Sequence, residues 1–193
     1  MASIIVPLHI HTGADAVSGF YGCGKKAVFG SVAGSIEARD LLKSVGSSVP
    51  ATKLVYENME RFTVKYIYRD PNCLTLSKVR ASKWKALKSK STLRLPPDRD
   101  SHELHIQRVN YQVYILLNYD KPDAPPSPIE NGWFLENGTC KPRRYRQPAI
   151  PKTLSDIFSQ NSFDTTESNG DSDEENINSS DDDIDDTDSE SDD

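Results

Sequence analysis

Proline and glycine interrupt this chain at intervals that leave room for one helix at a time. Ser47 to Pro50 makes one break, Asp70-Pro71-Asn72 the next, Leu95-Pro96-Pro97-Asp98 a third, and Asp120 to Pro128, with four prolines, a fourth. Proline lacks the amide proton a helix interior needs and drives the residue before it out of helical backbone. The chain therefore reads as mainly α: a helical body, one small β-hairpin and a disordered acidic C-terminal tail.

The stretches between the breaks carry helical patterns. Residues 25–32 predict a short helix, and 35–45 a second with Ser35 as N-cap and Gly46 as its stop. Residues 51–69 predict a third, with Leu54, Met59, Phe62, Val64 and Tyr66 as candidates for burial. Residues 75–89 predict a fourth whose apolar face is Leu76, Val79, Trp84 and Leu87 and whose remainder is loaded with lysine and arginine. Residues 99–118 predict a fifth, capped by Asp98; Leu104, Ile106, Val109, Val113, Leu116 and Leu117 spread too widely for a single contact face. Ser3 to Ile10 is apolar and reads as a strand or a helix remnant, frayed at an exposed end. Gly132–Leu135 and Thr139–Lys141 flank Asn137-Gly138, the strongest short-range hairpin signal, with Pro142 limiting the second strand. Residues 151–158 predict a last short helix with Pro151 in its first turn.

Charge divides the 193-residue chain more sharply than pattern does. Residues 1–160 hold all 23 basic residues against 14 acidic ones, a net +9, while residues 161–193 hold 15 acidic residues and none that are basic. Such a tail cannot bury enough apolar surface to offset its ordering entropy. Ser172, Ser179, Ser180 and Ser189 each precede an acidic residue by three positions, the context acidophilic kinases prefer. A basic body with an acidic tail points to nucleic-acid contact, to self-masking, or to a basic protein partner. Cys23, Cys73 and Cys140 are odd in number and form no CxxC pair, which argues against a zinc module or a disulfide framework. No stretch is long and apolar enough for a membrane span or a signal peptide, so the expected setting is nuclear or cytoplasmic.

The stretch most charged with functional meaning is Thr12 to Val28. Gly22-Cys23-Gly24-Lys25-Lys26 reads as a tight turn opening into a helix. Glycines let bare amides approach a partner, and the helix N-terminus and two lysines add positive charge, so the turn suits a phosphate. The bland alternative is a helix start with a solvated lysine pair. Asp15 precedes it in a Gly-Ala-Asp turn. Lys83, Lys85 and Lys88 belong to the most basic segment, read either as a phosphate-tracking surface beside Trp84 or as a solvated face. Lys141 to Arg146 is a second basic cluster: an import signal, a phosphate contact, or a solvated edge. His102 and His105 share a helix face at HxxH spacing but lack the further ligands a metal needs. No metal or other cofactor is expected.

In this stretch His9, Thr12, Gly13, Ala14, Asp15, Ser18, Phe20, Gly22, Gly24, Lys25 and Lys26 stand in the order of an H-x-x-T-G-C-D-T-x-S-x-F-x-G-x-G-K-K signature. Leu95-Pro96-Pro97-Asp98, His105 to Gln112, Pro128 and Gly132-Trp133 extend the likeness. The chain thus resembles, over about residues 7–157, a group of uncharacterised, mobile-element-associated animal proteins with a degenerate PIN-like, flap-endonuclease-like core. The resemblance implies that residues 1–46 are the end of that core, 47–159 a helical accessory region and 160–193 the tail. It also implies that Asp15 is a vestigial metal ligand and that the G-x-G turn grips a nucleic-acid backbone. Ala14 replaces the family's cysteine, and the companion carboxylates of a two-metal centre are missing from the eleven residues before Thr12. The expectation is a catalytically incomplete nucleic-acid-binding remnant, not an enzyme, with a protein-interaction module as the alternative.

Overall fold

The computed structural model describes residues 2–87 and 92–146, which fold as six α-helices and one β-hairpin. They are α1 (Ala2–His11), α2 (Lys25–Val32), α3 (Ile36–Leu42), α4 (Lys53–Phe62), α5 (Leu76–Leu87) and α6 (Arg99–Leu117), followed by β1 (Trp133–Glu136) and β2 (Thr139–Pro142). The expected helix over 151–158 and the acidic tail lie outside the described residues.

Local chemistry sets the helix starts. Ser35 accepts from the Ala38 amide, Thr52 from Val55, and Asp98 from Ser101, each satisfying an amide with no partner inside its helix. In the hairpin, Asn137 and Gly138 both take positive φ, the type I′ geometry whose twist matches that of the strands. The register pairs Trp133 with Pro142 and Glu136 with Thr139.

Two expectations for the first helices need correction. Residues 3–10 are neither a strand nor a frayed end: they belong to α1, where Ile4, Leu8 and Ile10 are buried. Helix α1 packs on α6, and burying these side chains outweighs the bond that Pro7 removes. The helix expected over 51–69 ends early, because α4 passes into a π-helical turn over Thr63–Ile67 in which the Tyr68 amide donates to Thr63 O. Four nominated core residues are exposed: Leu54 at 56%, Trp84 at 61%, Leu116 at 47% and Leu117 at 51%. Each has the right type but lies off the face its helix turns inward. The burial of Leu87 lies outside the described side chains.

One core joins both sides of residue 46. Leu8, Val32, Leu42, Phe62, Val109 and Val113, drawn from five helices, pack in a single cluster. A smaller cluster of Val64, Leu76 and Val79 seats α5. Asn110, buried on α6, accepts from the Gly46 amide at 2.8 Å and donates to Ser48 O at 2.8 Å, so the break after α3 is pinned to α6. Arg108 donates to Arg143 O at 2.7 Å and Tyr111 meets Trp133 edge-on at 5.2 Å, which seats the hairpin on the same helix.

Inside this core lies a chain of polar groups. Thr63 Oγ1 donates to Met59 O at 2.8 Å, which leaves its lone pairs to accept from His11 Nε2 and His102 Nε2, each at 3.0 Å. With its Nε2 proton so committed, His11 accepts at Nδ1 from His105 Nε2 at 3.2 Å. All four side chains are buried. Burial holds the three imidazoles neutral: His102 is pushed down to about 4 and His105 to about 3, where His102 and Arg108 add repulsion. His11 is lowered by burial and then by its two histidine neighbours.

These depressed values make stability depend on acid. The unfolded histidines take up protons near 6.5, whereas folded His102 resists until about 4 and folded His105 until about 3. Stability is therefore full above about 6.5 and is lost as pH falls from there toward 4, before most carboxylates titrate. His102 alone contributes on the order of 3 kcal/mol to this loss. Gln keeps a donor for Thr63 but cannot titrate, so His102→Gln should flatten the dependence of chemical-denaturation stability on pH between 6.5 and 5. An unchanged slope would show that the network does not titrate as described.

Candidate phosphate-binding cleft

The glycine turn does open a helix. Gly22 has φ +72°, a left-handed conformation that costs most residues about 1–2 kcal/mol, and Gly24 is the N-cap of α2 with extended backbone. No side chain caps this end, so the first amides of α2 are left to solvent or a ligand. Cys23 is held against the adjacent segment by a weak bond from its Sγ to Ile67 O at 3.7 Å, and burial pushes its thiol pKa up. A raised thiol pKa argues against a reactive nucleophile.

Facing this turn is a cleft of about 420 Å³. Its wall includes Gly22, Gly24, Tyr21 and Tyr68, and its charged residues are Arg69, Lys83 and Arg94. The described lining contains no carboxylate. Lys83 reaches it because it follows Val79 by one helical turn, on the inward face of α5; its ammonium lies 5.8 Å from the centre of the Tyr68 ring. Arg69 reaches it because the π-helical turn ends there, in a left-handed conformation at φ +54°. It also donates to Ala27 O at 3.3 Å. Burial raises the Tyr68 phenol well above its ordinary value, so it stays neutral.

Of the residues singled out from the sequence, Gly22, Gly24 and Lys83 come together here. Lys25 turns away: its Nζ donates to Gly13 O at 2.5 Å and lies 3.1 Å from His9 Nδ1, so it braces the turn from behind. Lys26 and Lys85 are exposed and do not line the cleft. Lys88 lies outside the described residues. Asp15 is exposed at the tip of a turn closed by the Ala14–Val17 backbone pair. The HxxH pair faces the core as described, and among the described residues no group of three His, Cys, Asp or Glu could hold a metal ion. The second basic cluster is partly neutralised, since Arg146 pairs with Asp100 at 3.0 Å and Glu103 at 2.7 Å, and Lys141 with Glu136.

Sequence reading missed Arg69, Arg94, Tyr21 and Tyr68. Arg94 lies in a single 3-10 turn after α5 and Arg69 beside a proline break, so neither belonged to a basic run. Comparison with family models, curated proteins and solved structures finds no match to this chain. No helix of the described residues is long and apolar enough to cross a membrane.

The backbone at the two ends of the cleft can be tested separately. Gly22→Ala should cost about 1–2 kcal/mol of stability, because alanine resists the left-handed region. Arg69→Gly relieves the same kind of strain and should leave thermal stability equal or raised by up to about 1 kcal/mol. A large loss of stability for Arg69→Gly would mean that its side chain holds the fold together.

Proposed function

We propose that this chain binds nucleic acid through the phosphate backbone, as a catalytically incomplete, nuclease-derived remnant without cleavage activity of its own. The observation that carries the reading is the convergence of Arg69, Lys83 and Arg94 on an uncapped helix start in a cleft whose described lining has no acidic residue. Cations on a helix terminus favour phosphate oxygens, and such contacts position a backbone without reading its sequence. Descent from a PIN-like, mobile-element-associated ancestor rests on the motif around Asp15, whose carboxylate here stands on an exposed turn outside the cleft. Binding of this kind places the protein where nucleic acid is met, in the nucleus or the cytoplasm.

The charge of the tail favours a second reading. Fifteen acidic residues beyond position 160 would compete with phosphate for the basic body, or engage a basic protein partner. The two readings separate on deletion of residues 161–193. Under the first, the truncated chain binds a single-stranded oligonucleotide more tightly than the full chain does.

Lys83→Glu with Arg69→Glu should abolish binding, whereas Lys25→Glu with Lys26→Glu should weaken it only modestly. Three phosphate contacts give a slope of about −2 in log affinity against log salt. The check is one fluorescence-anisotropy series at several salt concentrations. A truncated body that stays unbound at low salt would remove the phosphate reading and leave the tail-directed one. Magnesium-dependent cleavage that Asp15→Asn abolishes would overturn the non-catalytic part.

A further inference from the structure

Tyr21 and Tyr68 also line a second pocket, of about 250 Å³. That pocket also holds Phe20, Tyr145, Arg108 and Arg144, and its described lining contains no carboxylate. It is smaller than the roughly 300–1,000 Å³ of a site for a drug-sized ligand, which suits it to one planar ring system. Its aromatic walls are set by the core. Phe20 stands edge-on to Tyr68 at 6.0 Å and to His105 at 5.0 Å, and these contacts fix the faces of Phe20 and Tyr68. Tyr21 and Tyr145 are exposed, 62% and 54%, with aromatic surface and no fold-level need for it. Arg108 is committed to Gly132 O and Arg143 O, and Arg144 is exposed at the rim.

We infer that the second pocket receives an unpaired nucleobase whose adjoining phosphate lies in the basic cleft, so that the combined site selects single-stranded over duplex nucleic acid. This inference rests on the phosphate reading of the cleft and adds the class of ligand. Tyr21 and Tyr68 line both cavities, so the two are neighbours and a base and its own phosphate can occupy one each. Aromatic faces stack on any base, and a guanidinium at the rim can stack or donate to a base edge. A base paired in a duplex offers no free face to such a pocket. Phosphate alone explains neither the aromatic lining nor its place beside the cleft.

The test uses the full chain at low salt with four probes: a single-stranded oligonucleotide, its duplex, an abasic strand of equal length, and a nucleoside monophosphate. The single strand should bind about tenfold or more tightly than the duplex or the abasic strand. Tyr21→Ala and Tyr145→Ala, both at exposed positions, should each weaken the single strand several-fold, and Tyr145→Ala, whose side chain does not line the phosphate cleft, should leave the abasic strand unchanged. A 2-aminopurine base in the strand should lose fluorescence on binding, and lose less in the two variants. Saturable binding of the monophosphate at comparable strength would identify a free nucleotide as the source of the same base-and-phosphate chemistry. Equal binding of abasic and normal strands, or tyrosine variants without effect, overturns the base pocket while leaving the phosphate cleft standing. No binding of any probe, by the full chain or by the chain lacking residues 161–193, overturns both.

Discussion

A single threonine hydroxyl holds the architecture to one arrangement. Thr63 accepts from His11 at the end of α1 and from His102 on α6, while sitting itself at the end of α4. Apolar packing alone would tolerate rotation or sliding of these helices, since dispersion and burial have little direction. The hydrogen bonds do not, because each donor left unpaired in the core costs about 1–3 kcal/mol. The three imidazoles supply no charge to repay their burial, so the network specifies helix positions more than it strengthens them.

The same residue opens the π-helical turn. After Thr63 the backbone bond lengthens to the fifth residue, with Tyr68 donating to Thr63 O, and Asp70 then donates to Val64 O. One added residue in a turn rotates everything after it relative to a continuing α-helix. That rotation keeps Tyr66 and Ile67 in the core, aims Ile67 O at Cys23, and delivers Tyr68 and Arg69 to the cleft. The hub of the core and the wall of the cleft are thus five residues apart on one segment, and the geometry of the second follows from the first.

The mainly helical architecture was legible in the sequence because proline, glycine and capping residues act locally. Lys25–Val32 matched its expected bounds, and Asp98, Ser35 and Asn137-Gly138 worked as their chemistry predicts. The cleft was legible only in part. Gly22, Gly24 and Lys83 carry local signals of a turn, a helix start and a helix face. Lys25 carries the same signals, yet tertiary packing gave it the Gly13 carbonyl as a partner. Arg69 was hidden because a π turn leaves no mark in residue type, and the histidine chain was hidden because His11 and His105 are 94 residues apart. A charge run such as 78–90 advertises basic surface, but the side chains that converge came from three segments, each supplying one cation.

Convergence of that kind opposes stability. Arg69, Lys83 and Arg94 share one cleft with no described carboxylate to offset their repulsion, and Arg69 is held in left-handed backbone besides. Elsewhere on the body, several cations are matched: Glu37 serves both Arg61 and Lys65, and Glu103 serves Arg99 and Arg146. Exposed pairs like these are weak, so matching the three cleft cations with carboxylates would have cost the fold little. Strain and unbalanced charge persist where surrounding structure over-determines them, and they gather at sites that meet ligands. Here the over-determination is visible: the π turn fixes Arg69, the inward face of α5 fixes Lys83, and the Thr63 hub holds the segment that carries the first of them. An anion entering the cleft would relieve the repulsion that the fold itself maintains.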